Sequence, residues 1–210
     1  TVTVAATATD DSGVDSVVFT MFDDDNNEKS CSGIQDGDNP DLWSCQIDTT
    51  TLSDTNEETD MTIKVTDLAG NTTTEYYSDW NGYFGVDNTV PTDPTPESTS
   101  HTESTWSSNP TVDVSWEGAD DDSSGVDGYY TEWNTSPDTL THQPSNEYTD
   151  GDGGLEETSP SLADGNNHYF HIATVDLVGN WTSTAHLGPF WIDTTNPTDP
   201  TPSSASHTTS

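Results

Sequence analysis

Two acidic motifs each occur twice in the 210-residue chain, and their oxygen-bearing side chains suit a hard cation. The first motif is DDSGVD at 10–15, which returns as DDDSSGVD at 120–127. The second is DLAGN at 67–71, which returns as DLVGN at 176–180. Calcium takes about 6–8 oxygen ligands from carboxylates, carbonyl groups and water. The repetition therefore predicts one calcium site for each pair of motifs.

Alternating apolar residues predict β-strands almost throughout the chain. Apolar side chains fall on every second residue in TVTVAATATD at 1–10, and DMTIKVTD at 60–67 and TVDVSW at 111–116 follow the same period. Turn clusters rich in Gly, Asp and Asn separate these segments, and no amphipathic helix is predicted. Short strands between such turns predict an all-β protein built of β-sandwiches.

Strand order in such a sandwich brings the two motifs of each copy to one pole. The first motif follows the second strand, the second motif is the hairpin before the last strand, and the incoming linker passes the same end. We call the motifs at 10–15 and 67–71 the first pole, and those at 120–127 and 176–180 the second pole. The predicted metal ligands are Asp10, Asp11, Asp15, Asp67 and Asn71 at the first pole, and Asp87, Asp93, Asp120, Asp121, Asp122, Asp127, Asp176 and Asn180 at the second.

A turn without any metal is the alternative for both motifs, because Gly and Asn accept a positive φ. Against it stands the repulsion between carboxylates, about 1 kcal/mol for a pair about 4 Å apart in water and more near a protein surface. The clusters DGDNPD at 36–41 and DGDGG at 150–154 lack the spacing and the terminal Glu of an EF-hand, so solvated turns describe them better.

The charge balance excludes several partners. The chain has 39 acidic residues against two basic ones, Lys29 and Lys64, and a formal net charge of -37. Such a surface repels phosphate backbones and anionic lipids, so neither nucleic acid nor a membrane surface is an expected partner. No apolar run reaches the roughly 20 residues that span a bilayer. With 7 Trp, 7 Tyr and 5 Phe in an alternating pattern, the chain is expected to fold despite its polarity.

An internal repeat divides the chain. PTDPTPESTSHTES at 91–104 returns as PTDPTPSSASHTTS at 197–210, and its proline-rich start is typical of an extended linker. The repeat predicts a first domain at 1–86, which lacks the usual first strand, and a linker at 87–104. A second domain follows at 105–192, and then a tail at 193–210. The tail either leads to a further repeat or docks on another subunit.

Both domains resemble families of repeats found on bacterial cell surfaces. ATATDDSGVDSVVF, IDTTTL and VTDLAGNTTT in the first domain resemble bacterial immunoglobulin-like repeats. VDVSWEGADDDSSGVDGYYTEW, HYFHIATVDLVGNW and HLGPFWIDTT in the second resemble fibronectin type III-like repeats of secreted prokaryotic proteins. The resemblance covers nearly the whole chain and implies two tandem β-sandwiches. It implies no particular biochemical task.

Two further sets of residues bear on the cellular compartment. Cys31 and Cys45 are the only cysteines, and an even count in a small acidic domain favours a disulfide and an oxidising environment over two reduced thiols. Sequons at Asn71, Asn134 and Asn180 are candidate glycosylation sites. At Asn71 and Asn180 this role competes with metal ligation. An extracellular or cell-surface location is therefore expected.

Catalytic motifs are missing from the sequence. It contains no G-x-S-x-G, C-x-x-C, P-loop or H-E-x-x-H pattern, so an enzyme is not expected. His168 and His171 lie three residues apart on a predicted strand, so their side chains should point to opposite faces and not share a zinc ion.

These patterns favour a structural function. The leading hypothesis is a segment of an extracellular filament or cell-surface layer, stiffened by calcium at interdomain poles. Its partners would be copies of itself joined head to tail through the tail, or further repeats of the same chain, with glycans as additional partners. The alternative is a spacer or ligand-binding module of a large secreted adhesin or hydrolase. A halophilic environment would also explain the acidity without a specific metal site.

Overall fold

The computed structural model describes residues 1–23, 25–55, 59–77, 85–138 and 154–203, together with the backbone of 149–150. In these residues all regular secondary structure is β-strand, which confirms the predicted all-β class. None of the described segments forms a helix long and apolar enough to cross a membrane.

Residues 1–77 form two antiparallel sheets. Their strands are β1 (Val2–Thr7), β2 (Val14–Phe22), β3 (Glu28–Ser32), β4 (Ile34–Gln35), β5 (Leu42–Ile47), β6 (Asp60–Asp67) and β7 (Thr72–Tyr77). One sheet has the order β1-β5-β4 and the other the order β3-β2-β6-β7. The register sets Phe19 opposite Ile63 and Met21 opposite Met61.

A hydrophobic core lies between these two sheets. Every second residue of β2 points inward, so Val17, Phe19 and Met21 are fully buried. Val4 of β1 and Trp43 of β5 cover them from the opposite sheet. The predicted alternation along the first strand is confirmed, because Val4 is buried while Thr3 and Thr7 on the other face are exposed. Two facing sheets with an apolar interior define a β-sandwich.

Residues 96–192 form two further sheets. Their strands are β8 (Pro96–Ser98), β9 (Trp106–Ser107), β10 (Asp113–Trp116), β11 (Val126–Asn134), β12 (Thr149–Asp150), β13 (Glu156–Thr158), β14 (Gly165–Asp176) and β15 (Ala185–Ile192). The sheet orders are β13-β10-β8 and β12-β11-β14-β15-β9. β9 pairs with β15 in parallel, with Trp106 beside Trp191. Strand β8 lies inside the stretch that the sequence predicts to be a linker.

Aromatic rings fill the core of this second pair of sheets. Trp116 stacks on Phe170 with ring centroids 5.9 Å apart and meets Tyr129 edge-on at 5.7 Å. Trp133 packs against Phe170 at 5.0 Å and against Phe190 at 6.0 Å. The Tyr129 hydroxyl accepts a hydrogen bond from the Ala119 backbone N–H at 2.7 Å. Aromatic pairs in such tilted arrangements add to the stabilisation from burial.

The chain separates into two compact units. Unit 1 contains Thr1–Thr92 together with Asp120–Asp127 and Val175–Trp181. Unit 2 contains Asp93–Ala119, Gly128–Thr174 and Thr182–Ser210. Both loops of the second pole therefore cluster with residues 1–92, whereas the sequence assigns them to a domain at 105–192. Of the predicted tail, residues 204–210 lie outside the described part.

Cys31 and Cys45 form a disulfide, as the sequence predicts. Their Cα atoms are 6.1 Å apart. Cys31 lies on β3 and Cys45 on β5, so the bond joins the two sheets of the first sandwich. Both residues pack against the core.

A buried carboxylate organises one end of the same sandwich. Asp23 is 5% exposed, and its two oxygens accept hydrogen bonds from the backbone N–H groups of Asp25, Asn27 and Ser53 at 2.8–3.0 Å. The Asn27 amide adds a fourth bond at 2.8 Å. The bond from the Ser53 backbone lowers the pKa of Asp23 most, and those from Asn27 lower it further against the opposing effect of burial, to about 2.

Replacing both cysteines by alanine should destabilise the first sandwich by about 3 kcal/mol, because the bond closes a loop of 14 residues in the unfolded chain. Urea unfolding followed by tryptophan fluorescence measures the loss. Reduced wild-type protein is the control and should unfold at the same urea concentration as the double variant. A wild-type midpoint that does not change on reduction would contradict the prediction.

Asp23→Asn should weaken the dependence of stability on acid. The native pKa of Asp23 is depressed, so its contribution is complete above the unfolded-state pKa of about 4 and is lost as the pH falls towards 2. The variant should therefore be less stable at neutral pH and lose less stability between about pH 5 and 2. Urea unfolding across this range measures both effects. Asp25→Asn is the matched control, and an unchanged pH profile in Asp23→Asn would refute the assignment.

Candidate metal centre

The turn after β14 is built around the carboxylate of Asp176. One oxygen accepts hydrogen bonds from the backbone N–H groups of Val178, Gly179 and Asn180 at 3.0, 2.6 and 2.8 Å. The other accepts a bond from the Asn180 amide at 2.7 Å. Gly179 has φ +95°, a conformation that is strained for other residues. The motif D-L-V-G-N thus specifies this turn. The carboxylate at its centre is buried, with Asp176 only 1% exposed.

The second loop of this pole, residues 120–127, presents Asp121. Its Oδ1 accepts hydrogen bonds from the backbone N–H groups of Ser123 at 3.2 Å and Gly125 at 2.8 Å. Gly125 has φ +86°, and its carbonyl accepts a hydrogen bond from Leu177 N–H at 3.0 Å. That last bond ties the Asp121 loop to the Asp176 turn.

The segment 85–92, which contains the start of the predicted linker, supplies the third element. The Oδ2 of Asp87 accepts a hydrogen bond from Ser124 N–H at 3.1 Å. The Asn180 amide donates to the carbonyl oxygens of Asp87 and Thr89 at 3.2 Å each. Thr92 N–H donates to the Asp120 carbonyl at 2.9 Å, and the Thr92 hydroxyl accepts from Asp120 N–H at 2.8 Å. The linker is thus hydrogen-bonded to both loops of the second pole.

The same segment is also bound to the first sandwich. Val86 is buried. Its carbonyl accepts a hydrogen bond from Thr55 N–H at 2.8 Å, and its own N–H donates to the Thr55 hydroxyl at 2.9 Å. The Asn88 amide donates to the carbonyls of Thr49 and Leu52 at 3.0 and 3.1 Å. These contacts hold the neighbouring Asp87 in a defined position.

Three carboxylates meet where these segments join. Oxygen atoms of Asp87, Asp121 and Asp176 all lie within 4.8 Å of one another. Asp176 is buried and the other two are half-buried, and all three belong to unit 1. The hydroxyl of Ser124, in the same loop, is a buried polar atom without a hydrogen-bond partner. Among the described residues this is the only such group of three potential ligands.

Their mutual repulsion favours a cation. At 4.8 Å, each pair of unit charges repels by about 1 kcal/mol in bulk water and by about 3–4 kcal/mol at an effective dielectric constant of about 20. The backbone N–H groups offset part of this cost. Carboxylate oxygens from three segments match the ligand preference of calcium, with water completing the coordination.

In the described part of the chain, the first pole repeats the two loops but has no linker carboxylate beside them. Asp67 accepts hydrogen bonds from Ala69 N–H, Asn71 N–H and the Asn71 amide at 2.8–2.9 Å, as Asp176 does in its turn. The bond from the Asn71 side chain is the main cause that lowers the pKa of Asp67. Gly13 O accepts from Leu68 N–H at 3.0 Å, as Gly125 O does from Leu177. Asp10 accepts bonds from Ser12, and Asp11 and Asp15 are exposed.

The remaining predicted ligands of the second pole lie outside the group of three. Asp93 accepts a hydrogen bond from the Ser183 hydroxyl at 3.3 Å. Asp120 and Asp122 are exposed, and Asp127 is half-buried. Asn180 lies beside the group of three, but its side-chain NH₂ donates hydrogen bonds to the linker carbonyls and to Asp176.

The candidate glycosylation sites each have an amide that is already hydrogen-bonded. The amides of Asn71 and Asn180 donate to Asp67 and Asp176 at 2.8 and 2.7 Å. The Asn134 amide donates to Glu132 at 3.0 Å. Glycosylation of these residues stays a prediction.

Both copies of the linker leave the preceding sandwich through the same hydrogen bonds. In the first copy, Asn88 N–H donates to Asp54 Oδ1 at 2.6 Å and the Thr89 hydroxyl donates to Asp54 Oδ2. In the second copy, Thr194 N–H donates to Asp164 Oδ1 at 2.7 Å and the Thr195 hydroxyl to Asp164 Oδ2 at 2.5 Å.

A second match between the copies concerns the aspartate that precedes these residues. Asp87 accepts a bond from Thr89 N–H at 3.0 Å, and Asp193 accepts one from Thr195 N–H at 3.0 Å. Asp193 is therefore the structural counterpart of Asp87, and the sequence comparison of the repeats did not single it out as a ligand.

Sequence reasoning also missed the residues that fix the linker. Thr55, Asn88 and Thr92 hold it through hydrogen bonds, and Ser124 contacts Asp87 through its backbone. Ser, Thr and Asn are abundant throughout the chain, so composition does not distinguish these positions. The repeated aspartate at the start of each linker was the available signal.

No protein-family model and no curated protein matches the chain. The solved structures it resembles include fibronectin(III)-like modules of CbhA from Clostridium thermocellum, at 12% identity and a TM-score of 0.37 over 88% of this chain and 82% of that one. A second is from a study of the host cell surface retention of a 1.5-MDa bacterial ice-binding adhesin, at 20% identity and a TM-score of 0.38. The match covers 92% of this chain and 58% of the adhesin chain, so this chain spans little more than half of that structure.

Because the identities and TM-scores are low, the architecture rests on the strands and cores described above. The assignment of one immunoglobulin-like and one fibronectin III-like domain, with their boundaries, stays a prediction.

Proposed function

We propose that this chain is a structural segment of an extracellular filament or cell-surface layer, in which calcium holds the linker against the loops of the second pole. The observation that carries the proposal is the convergence of Asp87, Asp121 and Asp176 from three separate segments. A cation bound by all three would limit bending at residues 87–92. The disulfide supports an oxidising, extracellular location.

The negative charge of the three carboxylates determines how calcium would affect the attachment of the linker. Without a cation, the three carboxylates repel one another and weaken the attachment of the linker. With calcium bound, the same carboxylates become the attachment. Stabilisation by a ligand that binds only the folded state reaches about 2.7 kcal/mol at a free concentration of about 100 times its Kd.

The equivalence of the two linker copies supports assembly in series. Pro91 and Pro94 are buried in the first copy, and β8 of that copy pairs with β10. The corresponding Pro197 and Pro200 are exposed in the second copy. The second copy therefore has the sequence of a docked segment without the contacts that bury the first one. A further repeat or another copy of the chain would supply them.

Asp193 suggests how such a joint would be completed. It repeats the geometry of Asp87, while the first pole has the Asp67 turn and the Asp10 loop but no linker carboxylate beside them in the described residues. In our proposal the second linker copy of one subunit brings Asp193 to the first pole of the next. The contact is head to tail, which generates an open filament.

Calcium should raise the melting temperature, and Asp121→Asn should abolish that rise. Asparagine keeps the Oδ1 acceptor for Ser123 and Gly125 and removes only the charge, so in chelator the variant should be at least as stable as wild type. Differential scanning calorimetry at fixed ionic strength, with calcium or with chelator, measures both effects. Asp122→Asn removes a neighbouring exposed charge and should respond to calcium like wild type.

Two results would contradict the calcium proposal. One is a wild-type melting temperature that calcium does not change. The other is an equal loss of response in Asp121→Asn and Asp122→Asn. A rise with sodium chloride in the presence of chelator, with no further effect of calcium, would identify the acidity as an adaptation to salt.

A variant that lacks residues 193–210 should remain monomeric under conditions in which the full chain forms end-to-end oligomers, because it lacks the docking segment. Light scattering after size exclusion and negative-stain electron microscopy measure the assembly. Asp193→Asn should also reduce it, whereas the matched substitution Asp199→Asn should not. A truncated variant that still polymerises would refute assembly through the tail. A full chain that binds calcium but stays monomeric would favour a spacer within a larger adhesin or hydrolase.

A further inference from the structure

Two histidines face each other on the neighbouring strands β14 and β15. His171 and His186 are opposite residues in the register of this pair. Their Nδ1 atoms are 2.6 Å apart, with ring centroids 4.8 Å apart and planes inclined at 80°. His171 is fully buried, whereas His186 is exposed. Two ring nitrogens at this distance share one proton, one as the donor and the other as the acceptor.

The surrounding hydrogen bonds decide which nitrogen is the donor. The Asn134 amide donates to Glu132 at 3.0 Å, so its Oδ1 is the atom that faces Ser136 N–H at 2.9 Å and His171 Nε2 at 3.0 Å. Since Oδ1 can only accept, His171 Nε2 carries a hydrogen. Neutral His171 therefore has its lone pair on Nδ1, directed at His186.

This arrangement has the features of a metal-ligating histidine. Such a residue presents one nitrogen to the ion and donates its other N–H to a carbonyl or carboxylate group that fixes the ring. Here Asn134 is that acceptor, and Glu132 orients Asn134. Burial lowers the pKa of His171, and His186 beside it lowers the pKa further, in the direction that favours the neutral ring.

We propose that His171 and His186 bind a divalent transition metal ion, of the zinc, nickel or copper class, through their Nδ1 atoms. Imidazole nitrogen suits these ions, whereas calcium prefers oxygen. The ion takes the place of the proton shared by the two rings: His186 loses the hydrogen on Nδ1 and takes up one on Nε2 through solvent, so both ligating rings stay neutral with no net proton release. Water completes the coordination, since no third His, Cys, Asp or Glu in the described residues joins the pair.

The required movement is small and falls on the exposed ring. Metal–nitrogen bonds of about 2.0–2.1 Å place two adjacent ligand atoms roughly 2.9–3.4 Å apart. The Nδ1 atoms must therefore separate by less than about 1 Å from their 2.6 Å distance. His171 is held by Asn134 and by its burial, and a rotation of the exposed His186 side chain opens the gap.

This pair differs from the histidines that are close in sequence. His168 bonds to the Ala163 carbonyl at 2.8 Å and takes no part in the His171 pair. The proposed site uses nitrogen ligands and no residue of the acidic group at the second pole. It is therefore independent of the calcium proposal, and either can fail without the other.

Zinc titration of the full 210-residue chain in saturating calcium tests the site. Calorimetry should show one zinc bound per chain, and nitrogen-15 spectra of the imidazole rings should show shifts of both Nδ1 resonances. His186→Gln should weaken zinc binding at least tenfold without loss of fold, because this residue is exposed. Asn134→Ala should weaken it about 10–100-fold, the usual effect of removing the partner of a ligating histidine.

His101→Gln is the matched control: the His101 ring bonds to Ser100 and the Asn109 carbonyl and packs edge-on against Phe190, so its replacement should leave zinc binding unchanged. Circular dichroism monitors folding in all variants. Zinc affinity that is equal in wild type and His186→Gln would overturn the proposal. So would Nδ1 resonances that respond to pH but not to zinc.

Discussion

The hydrogen bond from a backbone N–H to an aspartate carboxylate is the interaction on which this structure depends. Asp23, Asp67, Asp121 and Asp176 each collect two or more such bonds and thereby define a turn. A turn of this kind needs little apolar burial, which suits a chain with only 28% hydrophobic residues. Part of the negative charge is therefore carried by carboxylates that hold turns in place. The rest of the net charge of -37 remains on the solvated surface.

The same local geometry has different consequences at the two poles. The turns of Asp67 and Asp176 have nearly the same hydrogen bonds, and Gly70 and Gly179 have φ values of +88° and +95°. At the second pole, Asp87 and Asp121 lie beside the turn, and the burial of Asp176 strengthens every charge interaction. The two poles thus differ in the linker carboxylate of Asp87. Beside it, the Asp176 turn is part of a candidate cation site, whereas the Asp67 turn is solvated.

Much of the architecture follows from local patterns. Alternation predicted the strands β1, β6 and β10, because one residue in two must enter the core of a sandwich. The aromatic residues Trp116 and Tyr129 are buried in the core of the second pair of sheets. Strand β8 was missed because its prolines suggested an extended linker. Pro96 nevertheless lies on an edge strand, where a missing N–H is tolerated.

By itself the sequence determined the all-β class, the turns that present each aspartate and the repetition of the linker, because these depend on residues close together in the chain. Only the tertiary structure selected Asp87, Asp121 and Asp176 from a longer set of candidates that included Asp93, Asp120 and Asp122. It also paired His171 with His186 and placed Asn134 behind them. Such groupings depend on strand register and loop packing, which join residues up to 89 positions apart, from Asp87 to Asp176. A sequence pattern that covers a few neighbouring residues does not predict contacts between residues so far apart in the chain.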